Sequence, residues 1–171
     1  MASSIPPFSE LIAETTRTAV HLEMRDAYTP TDPVYLEWQA GRLDLEKPAY
    51  PSWTELVREH VARGISFRRA RIVSEPVTDF IRFEYEITPA LNLAAGERVR
   101  WLPRRRASDL CLPGNDFWLF DDRRVRVHHF SGDGEIVEDE LSDDPTLIKL
   151  CAAAFEAVWE RGIDHQEYRA A

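Results

Sequence analysis

The sequence of 171 residues is poor in the residues that build the commonest catalytic and binding motifs. It contains seven glycines, two cysteines and two lysines. The glycines form neither a Gly-x-Gly-x-x-Gly nor a Gly-Lys-Ser phosphate-binding loop, and there is no Gly-x-Ser-x-Gly nucleophile elbow. Cys111 and Cys151 are isolated in the chain, and we predict that both are reduced core residues. The motif-defined nucleotide-binding, serine-hydrolase and zinc-finger classes are therefore excluded.

The sequence also lacks the features that membranes and metal ions require. No stretch approaches the ~20 apolar residues of a transmembrane helix, and residues 1–7 lack the basic and apolar segments of a secretory signal. His128 and His129 are neighbours on a predicted strand, so their side chains point to opposite faces. No other histidine has a partner at ligand spacing. We therefore expect a cytoplasmic protein with no membrane contact, no metal and no cofactor.

Charge is unevenly distributed along the chain. The formal net charge of −9 is divided into −5 for residues 1–57, +4 for residues 58–126 and −8 for residues 127–171. Acidic proteins are poorly suited to sequence-independent DNA binding, because neutralisation of phosphates dominates that affinity. The opposite charges of the segments instead favour a charged protein partner.

The remaining composition and patterning predict one α/β domain. Hydrophobic residues make up 44% of the chain and include five tryptophans, which is enough for the core of a domain of this length. We predict that the domain covers residues 1–163 and that residues 164–171 form a loose C-terminal tail. Because helices separate the early strands, those strands are expected to pair in parallel. The predicted fold is α/β, a single-domain mixed sheet with helices on both faces.

Apolar periodicity, capping residues and prolines predict the individual elements. The predicted helices cover residues 6–17, 32–41, 52–64 and 145–161, and the predicted strands cover residues 19–25, 66–73, 98–102, 117–120, 125–130 and 135–141. The helix from residue 52 opens on a capping box, Ser52-Trp53-Thr54-Glu55. Residues 76–94 have helical spacing, but Pro89 favours an extended 81–87 segment as the alternative.

Charged side chains on the first two strands form the first candidate site. Glu23 and Arg25 lie on the first strand, and Arg71 lies on the second, followed by Ser74 and Glu75. If the strands are neighbours, Glu23 and Arg71 pair, and the pair either binds a polar ligand or closes a structural salt bridge. Ser74 stands where ligands bind in open α/β sheets, or it caps the next backbone amides.

A basic stretch forms the second candidate site. It consists of Arg98, Arg100, Trp101, Arg104, Arg105 and Arg106. Arginines with an interleaved tryptophan can bind phosphate or single-stranded nucleic acid. The alternatives are a solvated loop and a surface that contacts an acidic protein partner.

The segment Asp116-Phe117-Trp118-Leu119-Phe120-Asp121 has three aromatic residues in one short strand. Since successive side chains alternate between faces, the pattern predicts a strand that is covered on both faces. Asp121 is predicted to form the following turn. It is also a candidate ligand-binding residue, together with Glu23, Arg71 and Glu75.

Four segments of the chain resemble an uncharacterised domain family of actinobacteria. They are His21-Leu22-Glu23-x-Arg25-Asp26-x-Tyr28, Arg71-Ile72-Val73-Ser74-Glu75-Pro76, Leu102-Pro103-Arg104 and the segment 116–121, and the match spans nearly the whole chain. Members of that family are typically encoded beside helix-turn-helix regulators, and the family has no established activity. The resemblance therefore implies a setting in transcription regulation and not a reaction.

The order of elements is also similar to one half of the phospholipase D-like fold. The similarity rests on a strand–helix–strand arrangement, an aspartate-containing hairpin and a terminal helix with Phe155 and Trp159. That superfamily uses His-x-Lys, with four residues between the lysine and an aspartate. If that aspartate is Asp121, Gly114 replaces the histidine and Asp116 replaces the lysine. The resemblance implies a degenerate phospholipase D-like fold that lacks the nucleophile.

These patterns favour a non-enzymatic accessory or sensor module. The expected partner is a protein, a helix-turn-helix transcriptional regulator, and a small ligand is expected near the ends of the early strands. The first alternative is an enzyme acting on a phosphate or nucleotide substrate, with Glu23, Arg71, Glu75 and Asp121 in one cleft. The second alternative is direct nucleic-acid binding through residues 98–106. The sequence leaves the oligomeric state open.

Overall fold

Three parallel strands form the centre of the structure. They are β1 (Thr18–Glu23), β2 (Ser66–Val73) and β3 (Arg98–Pro103). In the computed structural model, which describes residues 5–171, β2 pairs in parallel with both β1 and β3. Parallel neighbours need crossover connections, and the helices between these strands supply them.

Antiparallel strands extend the sheet at both edges. β4 (Phe117–Phe120), β5 (Arg124–Phe130) and β6 (Ile136–Ser142) pair in turn, and β4 also pairs antiparallel with β1. The short strand β7 (Ile163–Asp164) pairs with β3. The described residues thus form one mixed sheet with the strand order β6-β5-β4-β1-β2-β3-β7.

Helices cover both faces of this sheet. They are α1 (Phe8–Glu14), α2 (Pro33–Gln39), α3 (Pro51–Ala62), α4 (Asp79–Leu91) and α5 (Pro145–Arg161). Helix α5 covers one face, where Phe155 and Val158 pack in one buried cluster with Leu22 and Ile72. Helices α1, α3 and α4 cover the other face. The predicted mixed α/β sheet with helices on both faces is confirmed.

Two local predictions from the sequence are wrong. The helix predicted for residues 52–64 is present as α3, but the capping box at residues 52–55 does not cap it, because α3 begins at Pro51 and its N-terminus has no side-chain cap. Proline suits the first helical turn, so Ser52 already lies inside the helix. Cys151 is buried as predicted, but Cys111 is exposed, and both thiols are free.

The structure resolves the two alternatives for residues 76–94 in favour of a helix. Helix α4 runs through Pro89 and ends two residues later. A proline so close to the C-terminal end removes only one intrahelical hydrogen bond. The extended alternative for residues 81–87 is therefore wrong, and α4 presents a continuous buried face to the sheet.

The C-terminal residues pack against the sheet, in contrast to the loose tail predicted for residues 164–171. Tyr168 is 3% exposed, and its ring stacks on Trp101 with the ring centroids 5.4 Å apart. The backbone N–H of Val77 donates a hydrogen bond to the carbonyl oxygen of Ala171 over 2.7 Å. Tyr168 is the one aromatic residue of this polar segment, and its packing holds the segment against the sheet.

Candidate ligand-binding site

A cavity of about 410 Å³ lies between the sheet and the helices α3 and α4. Its floor is polar and its walls are mostly aromatic. The polar residues lining it include His21, Glu23, Arg69, Arg71, Glu84, Asp116 and His128, and the aromatic ones are Tyr28, Tyr50, Trp53, Phe80, Phe83, Trp118 and Phe130. An apolar cavity with a few convergent polar groups is the usual form of a small-molecule site.

The alternation of side chains along β1 and β2 places the polar groups on the cavity floor. Val20 and Leu22 point towards α5, so the residues between them point to the opposite face. The parallel register sets His21 opposite Arg69 and Glu23 opposite Arg71. The sequence pattern of these two strands therefore produces a block of charged side chains under α4.

Glu23 is the centre of this block. Its two carboxylate oxygens accept hydrogen bonds from Arg69 Nη1 at 2.8 Å and from Arg71 Nε at 2.6 Å. Burial opposes ionisation of Glu23, but Arg71 and Arg69 outweigh it and hold the pKa of this carboxyl well below its ordinary range. Arg71 Nη1 also donates to Thr88 Oγ1 at 2.9 Å. The pairing of Glu23 with Arg71 expected from the sequence is present, and it is a closed salt bridge.

Arg69 extends the block towards α3. Its Nε donates to Glu97 Oε1 over 2.7 Å, and its guanidinium carbon lies 5.4 Å from the ring centroid of Trp118 and 5.7 Å from that of Trp53. Such distances allow a cation–π attraction. Because Arg69 is bonded to two carboxylates, it is not free to neutralise a third acidic group in the cavity.

Glu84 on α4 is the first of two buried cavity carboxyls that do not share in the hydrogen bonds of Arg69 and Arg71. It is 8% exposed, and its Oε2 has no hydrogen-bond partner among the described residues. The nearest cationic atom is Arg71 Nε at 3.6 Å, which already donates to Glu23. Burial raises the pKa of Glu84 to about 8, and the neighbouring Arg71 offsets this only in part.

Asp116 at the start of β4 is the second such carboxyl. It is 2% exposed and accepts hydrogen bonds from the hydroxyl of Tyr28 and, over 2.9 Å, from the backbone N–H of Met24. Burial raises the pKa of Asp116 to about 7, although the Tyr28 bond lowers it. No arginine pairs with this carboxyl within residues 5–171. The charge of the cavity floor therefore changes near neutral pH, as Glu84 and Asp116 lose their protons.

The two histidines of the cavity add no positive charge near neutral pH. Burial lowers the pKa of His21 well below its ordinary value, and burial also lowers the pKa of His128. The His21 ring stacks on Trp118 with centroids 4.3 Å apart, and its Nδ1 has no hydrogen-bond partner in the described part of the chain. His128 is bonded to Asp139 on β6.

Three other candidate residues from the first strands lie outside this cavity. Ser74 donates to Asp26 and accepts from Arg104, so it closes a polar cluster at the strand ends. Glu75 accepts from the hydroxyl of Tyr168 over 3.0 Å. Arg25 stacks on the ring of Phe130, with its guanidinium carbon 4.9 Å from the centroid. These side chains bind other parts of the protein.

Asp121 has a structural position at the opposite end of β1. Its carboxylate accepts hydrogen bonds of 2.8 Å from the backbone N–H groups of Thr16, Arg17 and Thr18. Glu23 lies five residues along the strand from Thr18, a distance of roughly 16 Å. The four residues of the enzyme hypothesis, Glu23, Arg71, Glu75 and Asp121, are therefore not gathered in one cleft.

The basic stretch from residue 98 to residue 106 does not form one surface. Trp101 is 0% exposed and therefore cannot contact a partner or a nucleic-acid base. Arg98 and Arg100 lie over the ring of Trp159, and Arg104 donates to Ser74 and to the carbonyl oxygens of Met24 and Ile72. Arg105 and Arg106 remain exposed beside these internal contacts. The stacking platform expected from an arginine–tryptophan run is absent from this segment.

Sequence reasoning missed Glu84 and Asp116 as site residues. Glu84 occupies the buried face of α4 between Phe80, Phe83, Ile87 and Leu91, at the spacing of an apolar stripe. A charged residue inside an apolar stripe is the sequence feature from which Glu84 could have been identified as a site residue. Asp116 has no such signal, because the contact with Tyr28 depends on a loop whose path the sequence pattern does not predict.

Two further cavities are less suited to a ligand. The first, of about 460 Å³, is lined by Asp121, Arg124 and Asp143; Asp121 binds backbone amides, and Arg124 pairs with Asp143 at 2.9 Å. The second, of about 420 Å³, lies beside Arg98 and Asp164. Within residues 5–171, no group of three or more histidine, cysteine or acidic side chains is arranged to hold a metal ion. In the same range, no helix has both the length and the hydropathy to cross a bilayer.

Solved structures define the class of fold. The structure of a phospholipase D family member, Nuc from Salmonella typhimurium, has a TM-score of 0.52 and 12% sequence identity, covering 94% of this chain and 88% of that chain. The protein thus has a phospholipase D-like α/β fold. The structure of TrmBL2, an archaeal chromatin protein, has a TM-score of 0.49 and 10% sequence identity, covering 91% of this chain and 48% of that chain.

By sequence, the chain belongs to the family described as a domain of unknown function (DUF6879), whose family model matches residues 6–170. The predicted resemblance to an uncharacterised domain family is thereby confirmed. A search of curated proteins finds no match.

Proposed function

We propose that this domain is a non-enzymatic sensor module that binds a small organic ligand in the cavity and acts through a protein partner. The observation that carries the proposal is the incompletely paired polar floor formed by His21, Glu84 and Asp116. Burial of ionisable groups without full pairing costs several kcal/mol. Groups with perturbed pKa values that face a cavity are typical of functional sites. A domain selected for stability alone would fill this space with apolar side chains.

The arrangement of the arginines supports binding without catalysis. A phosphate substrate needs free guanidinium groups, but both oxygens of Glu23 occupy Arg69 and Arg71. The position of the motif lysine holds Asp116, whose charge repels a phosphate. The enzyme alternative therefore has less support than a binding module.

The proposed partner is a helix-turn-helix transcriptional regulator. The support is the resemblance of the chain to domains that are typically encoded beside such regulators. Arg105 and Arg106 are exposed, line none of the three cavities described above, and are available for an acidic partner surface. We expect the protein to enrich a helix-turn-helix protein in a pull-down from its native host, and a pull-down that never enriches a DNA-binding protein would contradict this part of the proposal.

The ligand-binding part is tested by a substitution at the cavity rim. Ile136 lines the cavity and is 54% exposed, so Ile136→Trp narrows the entrance with little effect on the core. The compounds tested are fragment-sized indoles and phenyl compounds that carry amine, hydroxyl or carboxylate groups. We expect some of them to raise the melting temperature of the wild type by several degrees when present at about 100 times their Kd. The variant should lose at least half of that shift.

The neighbouring residue provides the matched control. Val137 is 68% exposed and does not line the cavity. Val137→Trp should keep the wild-type ligand shift, because the added ring lies on the other face of β6. If no compound stabilises the wild type, or if both tryptophan variants respond equally, the cavity is not the binding site and the proposal is wrong.

A further inference from the structure

We propose that the ligand is an organic cation, an amine on an apolar or aromatic body, whose charged nitrogen binds between Glu84 and Asp116. This inference rests on the proposed function and specifies its ligand. It follows from the balance of charged groups around the cavity, from an unpartnered buried carboxyl that faces it and from the aromatic walls.

The charged groups of the cavity have an acidic excess. Four carboxyls line it, those of Glu23, Asp32, Glu84 and Asp116, together with only two guanidinium groups. Those two arginines are bonded to Glu23, and Arg69 is bonded in addition to Glu97, a carboxylate outside the cavity. The formal charges of the two arginines are therefore matched by Glu23 and Glu97, and Arg71, 3.6 Å from Glu84, compensates that carboxyl only in part. A bound cation would supply the missing positive charge.

Glu84 indicates where the cation binds. The residue is 8% exposed, it lines the cavity, and its Oε2 has no hydrogen-bond donor among residues 5–171. The side chain is faced by Arg69, Arg71 and Glu23 from the strands and by Asp116 from the start of β4. A buried acceptor without a donor is a costly feature, and an ammonium N–H satisfies it directly.

The walls are suited to the rest of such a molecule. Phe80 and Phe83 on α4, Trp53 on α3 and Trp118 on β4 surround the floor. Aromatic faces attract cations within about 6 Å of their centroids, and they also bury an apolar body. An anionic ligand would instead meet Glu84 and Asp116, and its only attraction would be to arginines that already have partners.

The test compares three compounds of nearly equal size by isothermal titration calorimetry: tryptamine, tryptophol and indole-3-propionate. We expect tryptamine to bind most tightly. Its affinity should rise between pH 6 and pH 8.5, because Glu84 and Asp116 must release their protons to pair with the amine. Glu84→Gln should weaken tryptamine binding by about 10- to 100-fold at pH 8.5, which corresponds to one hydrogen bond to a charged group, and should leave only the part of the pH dependence that Asp116 contributes.

Glu86→Gln is the matched control, since Glu86 lies on the same helix but does not line the cavity. It should bind tryptamine within twofold of the wild type. Tighter binding of tryptophol or indole-3-propionate would overturn the cationic ligand while leaving the cavity a ligand site. Absence of tryptamine binding would also overturn it. Absence of any ligand in the wider compound set, by contrast, would refute the proposed function itself.

Discussion

Replacing Arg71 by methionine is expected to lower the free energy of unfolding by about 3–5 kcal/mol, because removing one partner of a buried ion pair leaves an uncompensated charge. Arg71 is 3% exposed and donates to Glu23 and to Thr88. Methionine keeps most of the volume of the side chain but donates no hydrogen bond. Urea denaturation of the wild type and the variant at pH 7 measures the difference.

A double variant separates the lost charge pair from lost packing. Glu23→Gln combined with Arg71→Met removes both partners, so the carboxylate that Arg71→Met leaves to share Arg69 with Glu97 is gone. We expect the double variant to be more stable than Arg71→Met by at least about 1 kcal/mol, as coupled neighbours show. Equal stability of the two variants would mean that Glu23 and Arg71 are not energetically coupled, and the account of the cavity floor would fail.

Replacing Asp121 by alanine is expected to cost about 3 kcal/mol. The carboxylate accepts hydrogen bonds from three consecutive backbone N–H groups at 2.8 Å, and bonds to charged groups contribute about 1.5–3 kcal/mol. The backbone of Asp121 also has a φ of 52°, which alanine tolerates less well than aspartate. Thermal or chemical denaturation at pH 7 gives the loss.

The adjacent residue distinguishes hydrogen bonding from backbone strain. Asp122 has a φ of 53° and is exposed, so Asp122→Ala measures the effect of the left-handed backbone alone and should cost about 1 kcal/mol. Burial opposes ionisation of Asp121, but the backbone N–H groups outweigh it and lower its pKa. Its contribution to stability is therefore present above the unfolded pKa and is lost as the pH falls through the folded value. A cost of Asp121→Ala that equals that of Asp122→Ala would contradict the capping role.

The sheet itself could be predicted from local patterns because each strand carries its own signal. Alternation on β1 places Val20 and Leu22 towards α5 and Glu23 on the other face, and the intervening helices favour parallel pairing. These two facts predict a Glu23–Arg71 pair on the condition that the two strands are neighbours, and the structure supplies that condition. The site residues on β1 and β2 can therefore be predicted from the sequence.

The site residues on α4 and in the loops could not be predicted from the sequence in this way. Glu84 faces the sheet only because Phe80, Phe83 and Ile87 turn that side of α4 inward, and Pro89 obscured whether the segment was a helix at all. The sequence predicts a turn and a ligand role for Asp121, whereas its carboxylate binds the backbone of residues 16–18, more than 100 residues away in sequence. Long-range contacts of this kind leave no periodic signature.

The central claim of this account is that Glu84 and Asp116 are buried carboxyls which the arginines do not neutralise. Such groups make the folded state less stable at higher pH. When burial raises the pKa of Glu84 to about 8, the folded state binds more protons than the unfolded state above pH ~4.3, the ordinary glutamate value. The free energy of unfolding then falls as the pH rises towards 8.

Carbon-13 NMR titration of the side-chain carboxyl carbons, assigned with Glu84→Gln and Asp116→Asn, measures these protonations directly. We predict midpoints near 8 for Glu84 and near 7 for Asp116 in the ligand-free protein. Midpoints near 4 for both carboxyls, as in solvent-exposed acids, would show that the cavity floor is already neutralised and would contradict the account.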